Sequence, residues 1–362
     1  MNDYTRRQFV AGLAACAVSR RASAGTPLAV VLVLLRGAAD GLGIAPPLRD
    51  TRMSRLRPQL DVSPDALRVT DTVGLHPALV TTHRRLRAGE GALVLGVGPG
   101  DGGRSHFEAQ DALEQGGVRG SGWLNRFLAA RNVADPLGGV ALSDTLPLSL
   151  SGTAPSLSLA NPARSLLSPA EIVDARRMYQ GSADPTSARA LAGLDAVERI
   201  ARLPPGTFEE GGDVAAFRNA GTLLSLGTQA VFLELNGWDT HVRQGTTDGQ
   251  LARRLAELDR CLDALLLQVR QTAVVMVMTE FGRTAAQNGS GGSDHGHGTA
   301  ALVFGSGLHG PVIGAVPDLG DLHDGRDLPV VWTHAQLMAS VSVRLGVPDI
   351  NGGATPAPLF GS

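Results

Sequence analysis

The sequence predicts an α/β protein whose doubly wound, mostly parallel sheet is flanked by helices. Unbroken apolar runs of strand length recur along the chain, which is typical of strands covered on both faces. They occupy residues 28–35, 92–97, 230–235, 273–278 and 300–304. The 362-residue chain is 43% hydrophobic and 18% charged, as expected for a folded globular protein.

The clearest predicted helix lies between the third and fourth runs, over residues 247–270. Its leucines recur at spacings of three and four, which places them on one helical face. They are Leu251, Leu255, Leu258, Leu262 and Leu265. The order strand, helix, strand predicts a βαβ unit with a right-handed crossover. Further helices are predicted over residues 76–88 and 333–345, the second with a capping box formed by Thr333 and Gln336.

One stretch differs in composition from the rest. Residues 143–225 are rich in Ser, Pro, Leu and Ala, with helical patterns over 169–179 and 186–202. We interpret this stretch as an inserted or capping region within a single domain that covers residues 25–362.

Residues 1–24 have the pattern of an export signal rather than of folded structure. The sequence TRRQFV at 5–10 carries a twin-arginine pair, a short apolar stretch follows, and Ala22-Ser23-Ala24 fits a signal-peptidase site. We expect the twin-arginine translocase to export the folded protein to the periplasm or out of the cell. The apolar stretch is far shorter than the roughly 20 residues of a membrane span, so no span is expected.

A second interpretation of the same segment is a lipid anchor. Residues 13–16 (LAAC) fit a lipobox, which would make Cys16 the lipidated residue. Cleavage after Ala24 would instead remove Cys16 and leave Cys261 as the single cysteine, which poses no pairing problem in an oxidising compartment.

Composition excludes several function classes. The chain contains no lysine, which excludes a P-loop lysine and a lysine Schiff base. Its formal charge is −2 and no basic tract follows the N-terminus, so nucleic-acid binding is not expected. Gly98, Gly100 and Gly103 match G-x-G-x-x-G, the pattern of an NAD-linked oxidoreductase. That match does not follow the first strand and has no strand-end acid about 20 residues later, so a glycine loop is favoured.

Acidic and imidazole side chains collect next to the predicted strands. In an open parallel sheet, ligands bind beyond the carboxyl ends of the strands. The side chains with ligand chemistry there are Asp40, Asp239, His241, Glu280, Asp294, His295 and His297. Carboxylate oxygens and imidazole nitrogens bind divalent metals, so we predict a site for one or two ions, with zinc or manganese favoured.

Each of these residues also has a structural interpretation. Asp40 fits a glycine turn, Asp239 fits a helix N-cap, and Glu280 fits a solvated strand end. A purely structural role does not explain the segment 294–297 (DHGH). Two imidazoles and a carboxylate lie within four glycine-flanked residues, which is uncommon in the absence of a ligand. Taken together, the segments favour a metal site.

The candidate catalytic residues are Ser105, His106 and Arg104. Ser105 and Glu108 have the spacing of a capping box, which is a purely structural role. The same position at a helix N-terminus, close to a metal, would suit a nucleophile. His106 and Arg104 are predicted to bind the oxyanions of a substrate.

Several motifs together carry a family resemblance. They are the Arg-Arg signal, LRGAADGL at 35–42, GLHPAL at 74–79, GRSHFEAQD at 103–111, GWLNRFL at 122–128, NGWDTH at 236–241 and MTEFGRTAAQNGSGGSDHGHGT at 278–299. By these motifs the chain resembles the twin-arginine-exported family known as domain of unknown function 1501. That family in turn resembles the alkaline phosphatase superfamily.

The resemblance implies an alkaline-phosphatase-like sheet that holds two metals. Asp40 resembles the superfamily's first-strand aspartate and Ser105 its nucleophile. Asp239 and His241 resemble ligands of one metal, and His295 or His297 resembles the last histidine ligand. Glu280 stands where an Asp-His pair is usual.

Two departures bear on that comparison. Asp239 and His241 have D-x-H spacing, shorter than the spacing common in phosphatases, and Phe281 stands where a histidine ligand is expected, with Asp294 a candidate substitute. The implied function is a metal-dependent hydrolase of phosphate or sulfate esters, either small-molecule or polymer-borne. The alternative is a non-catalytic cell-envelope protein that retains the fold and binds a metal.

Overall fold

A computed structural model describes residues 29–100, 103–164, 167–182, 184–269 and 273–361. The predicted signal segment, including Cys16, lies outside these residues. None of the helices that the described residues form combines the length and the apolar character needed to span a bilayer.

The described residues form one large sheet and one small ribbon. In chain order the strands are β1 (Ala29–Arg36), β2 (Leu67–Arg68), β3 (Gly74–Leu75), β4 (Gly91–Gly98), β5 (Gly139–Ala141), β6 (Leu157–Ser158), β7 (Ala230–Asn236), β8 (Ala273–Met278), β9 (Thr299–Phe304), β10 (Val312–Ile313) and β11 (Trp332–Thr333). The large sheet has the order β10-β4-β9-β8-β1-β7-β5-β6, with β11 beside β4, and β2 pairs with β3 separately.

The large sheet is mostly parallel, which confirms the predicted fold class. Strand β1 pairs in parallel with β7 and β8, whereas β9 runs antiparallel to both β4 and β8. An apolar run indicates that a strand is buried, but it does not indicate whether the strand runs parallel or antiparallel to its neighbours. Because β9 is reversed, the loop before it lies at the same edge as the carboxyl ends of β1, β7 and β8.

Ten α-helices and four short 3-10 helices are formed by the described residues. The α-helices are α1 (Gly41–Ile44), α2 (Met53–Leu56), α3 (Val80–Arg87), α4 (His106–Gln115), α5 (Trp123–Ala130), α6 (Pro169–Tyr179), α7 (Pro185–Ala201), α8 (Gly212–Ser225), α9 (Gly249–Val269) and α10 (His334–Arg344). The 3-10 helices are Ser63–Asp65, Pro136–Gly138, Leu148–Leu150 and Pro348–Ile350.

Apolar side chains cover both faces of the sheet. Alternate residues of β1 enter two different core clusters, Val31 and Val33 on one face and Val30 and Leu32 on the other. The predicted leucine stripe of α9 packs entirely into the first cluster. Helices α5 and α10 cover the second face, with Trp123 as their largest buried side chain. This layering is the physical basis of the unbroken apolar runs.

The predicted helices agree with the structure except at one end. The capping box of α10 is confirmed, with Thr333 and Gln336 bonded reciprocally. Helix α3 begins at Val80 rather than at His76, because His76 is part of the preceding turn. There its Nδ1 accepts from the amide of Ala78 and its Nε2 lies 2.9 Å from the carbonyl oxygen of Thr246.

The segment 143–225 joins the main sheet and core at both ends. Strand β6 lies at the sheet edge beside β5, and helix α8 contributes Phe217, Ala220 and Leu223 to the core beneath α9. Helices α6 and α7 between them pack on each other. The division into a single domain with a capping region stays a prediction.

Candidate metal centre

Three imidazoles and one carboxylate converge at the predicted edge of the sheet. The Nε2 atom of His295 lies 3.0 Å from Nε2 of His106 and 3.0 Å from Nε2 of His241. An oxygen of Asp239 lies 3.1 Å from Nε2 of His241 and 3.4 Å from Nε2 of His295. Ligand atoms around a tetrahedral zinc ion are about 3.3 Å apart, given bonds of about 2.0–2.1 Å. The spacing therefore suits a shared cation.

Each of these side chains lies in a loop at a strand end or at the start of the helix that follows one. His106 is the first residue of α4, which follows β4. Asp239 and His241 follow β7, and His295 precedes the reversed strand β9. Three loops that are distant along the chain thus meet because of strand order and direction.

The opposite ring nitrogen of each histidine is held by an oxygen. Nδ1 of His106 lies 2.7 Å from Glu280 Oε1, and Nδ1 of His241 lies 2.9 Å from Asp294 Oδ1. Nδ1 of His295 lies 3.2 Å from the carbonyl oxygen of Arg104. Carboxylate and carbonyl oxygens only accept, so each Nδ1 donates and each Nε2 turns a lone pair toward the centre. This arrangement favours metal coordination by all three rings.

The electrostatics of His295 also suit a ligand. Burial, followed by the nearby Arg283 and His106, lowers the pKa of His295. The neutral imidazole is the form that coordinates a metal.

Glu280, predicted as a ligand, lies behind His106 instead. Its side chain is fully buried, and Oε1 also accepts from the amide of Gly37 at 2.9 Å and from Nε2 of Gln110 at 2.8 Å. Burial opposes the charge, but hydrogen bonds from its own amide, Gln110 and His106 hold the pKa of Glu280 below its usual value. Glu280 is therefore an ionised side chain that orients the His106 ring.

Asp294, also predicted as a ligand, has the same supporting role for His241. The same oxygen that contacts His241 accepts from Nδ2 of Asn288 at 2.9 Å. Hydrogen bonds from Asn288 and His241 lower the pKa of Asp294. Its carboxylate lies on the Nδ1 side of the ring, away from the converging atoms.

Asp40 is a structural residue rather than a ligand, which corrects the prediction. Its carboxylate is buried and accepts hydrogen bonds from Nη1 and Nη2 of Arg57 at 2.5 and 2.9 Å. Gln244 Nε2 donates to it at 2.6 Å. Burial opposes the charge, but Arg57 holds the pKa of Asp40 below its usual value. Both oxygens are thus occupied by protein donors.

His297 belongs to a different group from His295, so its prediction as a ligand of this centre is also corrected. Its Nδ1 lies 3.6 Å from Asp327 Oδ2, and its ring centroid lies 4.8 Å from that of His323. Of the two adjacent histidines, His295 is the one that reaches the centre.

Arg283 fixes Asp239 and the loops around it, a role that no sequence pattern indicated. Its guanidinium is fully buried and donates to Asp239 Oδ1, to the carbonyl oxygen of Gly37 at 2.7 Å and to that of Ser293 at 2.9 Å. Burial opposes the charge on Asp239, but Arg283 lowers the pKa of that carboxyl. One buried cation thereby joins three strand-end loops.

Phe281 forms an apolar wall against the imidazoles. It is fully buried, and its ring centroid lies 4.9 Å from that of His106 and 5.0 Å from that of His295. The position expected to hold a histidine ligand is therefore filled by hydrocarbon. Among the described residues, ligand atoms of His106, Asp239 and His295 all lie within 4.8 Å of one another, and Nε2 of His241 lies 3.0 Å from Nε2 of His295.

Arg104 and Ser105 directly precede His106 along the chain. Ser105 is the N-cap of α4 by backbone geometry, but its exposed side chain makes no capping hydrogen bond within the described residues. The capping-box interpretation is therefore wrong. The carbonyl oxygen of Arg104 accepts from Nδ1 of His295, and Nη2 of Arg104 lies 2.5 Å from Asp327 Oδ2.

Comparison with solved structures finds similarity over most of the chain at low identity. The alkaline phosphatase from the Antarctic bacterium TAB5 is 11% identical, with 89% of this chain and 99% of that chain covered and a TM-score of 0.42. The PsFucS1 sulfatase from Pseudoalteromonas sp. is 9% identical, with 95% and 71% covered and a TM-score of 0.39. The PH0037 protein from Pyrococcus horikoshii is 12% identical, with 89% and 98% covered and a TM-score of 0.39.

Comparison with curated proteins finds no match. The family model described as "Protein of unknown function (DUF1501)" matches residues 101–347, which include all four converging side chains. That match confirms the family predicted from the motifs, and the chain belongs to the DUF1501 family.

Proposed function

We propose that the protein is a metal-dependent hydrolase of phosphate or sulfate esters. The observation that carries the proposal is the convergence of His106, His241, His295 and Asp239 with every Nδ1 atom already held by an oxygen. These four residues would hold one divalent ion. The predominance of nitrogen donors favours zinc, with manganese as the second choice.

The centre is open enough for an ester to reach it. The side chain of Asp239 is 48% exposed and that of His241 is 38% exposed. A structural metal site is usually closed by its ligands, whereas a catalytic site leaves a coordination position for substrate. When bound, a divalent ion would supply Lewis-acid polarisation of an ester oxygen.

Ser105 is the proposed nucleophile. Its exposed hydroxyl precedes His106 at the start of the ten-residue helix α4, where backbone amides and the helix dipole favour developing negative charge. The serine oxygen would bond to the phosphorus or sulfur atom and displace the ester's alcohol, which would leave with the serine proton. Water would then cleave the seryl ester and release phosphate or sulfate, restoring the serine hydroxyl. Glu280 and Asp294 would keep the imidazoles oriented throughout.

The substrate class rests on the order of the motifs, which resembles that of ester hydrolases of the alkaline phosphatase superfamily. We further propose that the protein acts in the periplasm or outside the cell. The twin-arginine pattern at residues 5–10 and the candidate cleavage site at Ala24 support export by the twin-arginine translocase. The ester would be a small molecule or part of a polymer.

Elemental analysis and ester turnover together test the proposal. We expect about one zinc or manganese per chain and turnover of a chromogenic phosphate or sulfate ester. H295A should lose most of the metal and the activity, whereas S105A should retain the metal and lose the activity. The exposed His309 supplies a matched control, H309A, which should resemble the wild type. A folded wild type without metal would contradict the proposal.

A second candidate function is a metal-binding cell-envelope protein without catalysis. Phe281 favours this second function, because its apolar ring occupies the position at which resemblance to the alkaline phosphatase superfamily predicts a histidine ligand. Metal at about one ion per chain, with no turnover across a broad panel of phosphate and sulfate esters, would support this second candidate over the first.

A further inference from the structure

Two arginines share one buried carboxylate beside the metal centre. Arg104 Nη2 lies 2.5 Å from Asp327 Oδ2, and Arg326 Nη1 lies 3.7 Å from the same oxygen. The side chain of Asp327 has no solvent exposure, whereas those of Arg104 and Arg326 are 36% and 41% exposed. The buried carboxylate of Asp327 therefore binds the two guanidinium groups from the protein interior, while both arginine side chains remain partly exposed to solvent.

Both arginines are also fixed to His295. The carbonyl oxygen of Arg104 accepts from His295 Nδ1 at 3.2 Å, and Arg326 Nη2 donates to the carbonyl oxygen of His295 at 2.9 Å. Arg326 thus reaches His295 with its guanidinium and Arg104 with its backbone, and the two guanidinium groups meet at Asp327 Oδ2. These hydrogen bonds connect both residues to His295, one of the four converging side chains.

A tight turn directs the neighbouring side chains of Arg326 and Asp327 to opposite sides, the first to the surface and the second to the interior. His323 and Asp327 exchange backbone hydrogen bonds of 2.9 and 3.0 Å across the turn. Asp324 and Gly325 between them adopt positive φ angles of 54° and 64°. The closed turn places Asp327 inward and the adjacent Arg326 at the surface.

The two guanidinium groups have donors to spare. Each carries five N–H groups, and the single oxygen Asp327 Oδ2 cannot satisfy both sets. The other oxygen, Oδ1, is buried and has no hydrogen-bond partner within the described residues. The remaining N–H groups of Arg104 and Arg326 are therefore available to a ligand that brings acceptor oxygens.

The charge of the whole centre favours an anionic ligand. The described charged side chains that contact the ligand residues or Asp327 are four carboxylates and three guanidinium groups, namely Asp239, Glu280, Asp294, Asp327, Arg104, Arg283 and Arg326. They leave one net negative charge, so a divalent ion makes the centre net positive by one. Guanidinium groups bind tetrahedral oxyanions through paired hydrogen bonds.

We infer that Arg104 and Arg326, positioned by Asp327, form an oxyanion subsite that binds the non-bridging oxygens of a phosphate or sulfate group. The inference rests on the proposed function, which it deepens by assigning the residues that bind the phosphate or sulfate group. Arg326 is a substrate-binding residue in this assignment, and Asp327 is a positioning residue.

Binding of inorganic phosphate and inorganic sulfate to the metal-loaded protein tests the subsite without any turnover. Calorimetry on the full exported chain should show that R326M and R104M each weaken anion binding by roughly tenfold or more, since each loses charge-assisted hydrogen bonds. The metal content of both variants should equal that of the wild type. R87M removes an exposed arginine elsewhere, on α3, and should bind the anions like the wild type.

The outcomes separate the subsite from the proposed function. Wild-type affinity for both anions in R326M, or a metal-loaded wild type that binds neither anion, would overturn the subsite. Anion binding that R326M abolishes, in a protein that turns over no ester, would support the subsite and contradict the hydrolase. D327N, which removes the charge that positions both arginines, should also weaken anion binding. Should it fail to fold, R326M still decides, because Arg326 is surface-exposed.

Discussion

Oε1 of the buried Glu280 lies 2.7 Å from Nδ1 of His106. This contact determines which nitrogen of His106 faces the centre. Replacing Glu280 with Gln removes the charge and allows the amide to present a donor to Nδ1. We expect E280Q to bind zinc about 10–100-fold more weakly, which is the usual effect of losing such a partner. Competition against a chromogenic chelator measures the affinity.

The control for that experiment is E90Q, which removes a half-exposed carboxylate that pairs with Arg85 outside the centre. It should bind zinc like the wild type. Equal affinities for E280Q and the wild type would mean that Glu280 does not orient the ligand.

Asp40 should matter for stability and not for metal content. D40N leaves the fully buried guanidinium of Arg57 without its counter-charge. Breaking one half of a buried ion pair costs about 3–5 kcal/mol. We expect the free energy of unfolding in urea to fall by about that amount, while folded D40N retains about one metal per chain.

A matched control for D40N is D174N, which breaks the exposed pair between Asp174 and Arg177. Exposed pairs contribute about 0–1 kcal/mol, so D174N should be nearly as stable as the wild type. A folded D40N that has lost its metal would instead restore Asp40 as a ligand.

The fold was predictable because its signals are local. The leucine stripe at 251–265 and the apolar run at 28–35 each report burial through spacing alone. The direction of β9 was not predictable, because strand direction depends on the neighbouring strands.

The residue types that converge at the candidate centre were predictable, whereas the position of each side chain was not. Asp239, His241 and His295 were expected as ligands, whereas the inward face of α4 went unnoticed. His106, Gln110 and Glu114 recur every fourth residue there, and the last two are buried. Polar residues on the inward face of a helix were the signal that could have added His106 to the candidate ligands.

The roles of Arg57 and Arg283 had no comparable signal. Each is a fully buried arginine, and the residues that satisfy it come from other parts of the chain. A buried charge requires partners that only the fold brings together. Asp40 therefore looked like a ligand, because its true partner, Arg57, lies 17 residues away in sequence.

Removal of the metal should lower thermal stability. A ligand that binds only the folded state adds about 2.7 kcal/mol at a concentration 100 times its dissociation constant. We expect a chelator to reduce the midpoint of thermal unfolding of the wild type, and zinc to restore it. H295A should show no such response, whereas H309A should respond like the wild type. A wild-type midpoint that is the same with zinc and with chelator would contradict metal binding by the folded state.

His334 should make stability depend on pH independently of the metal. Burial lowers the pKa of His334 to about 4 from an ordinary value of 6.5, while its Nε2 lies 3.0 Å from the carbonyl oxygen of Thr279. The unfolded state therefore binds more protons between these two values, so stability falls as the pH drops through 6.5 toward 4. We expect this residue to cost the chelated wild type about 2 kcal/mol between pH 7.5 and pH 5. The Gln side chain of H334Q can still donate to the carbonyl oxygen of Thr279 but does not titrate. Between pH 7.5 and pH 5, the free energy of unfolding in urea should therefore fall by about 2 kcal/mol less in H334Q than in the wild type. Identical pH dependence in H334Q and the wild type would show that His334 does not enter the native state as a neutral, buried ring.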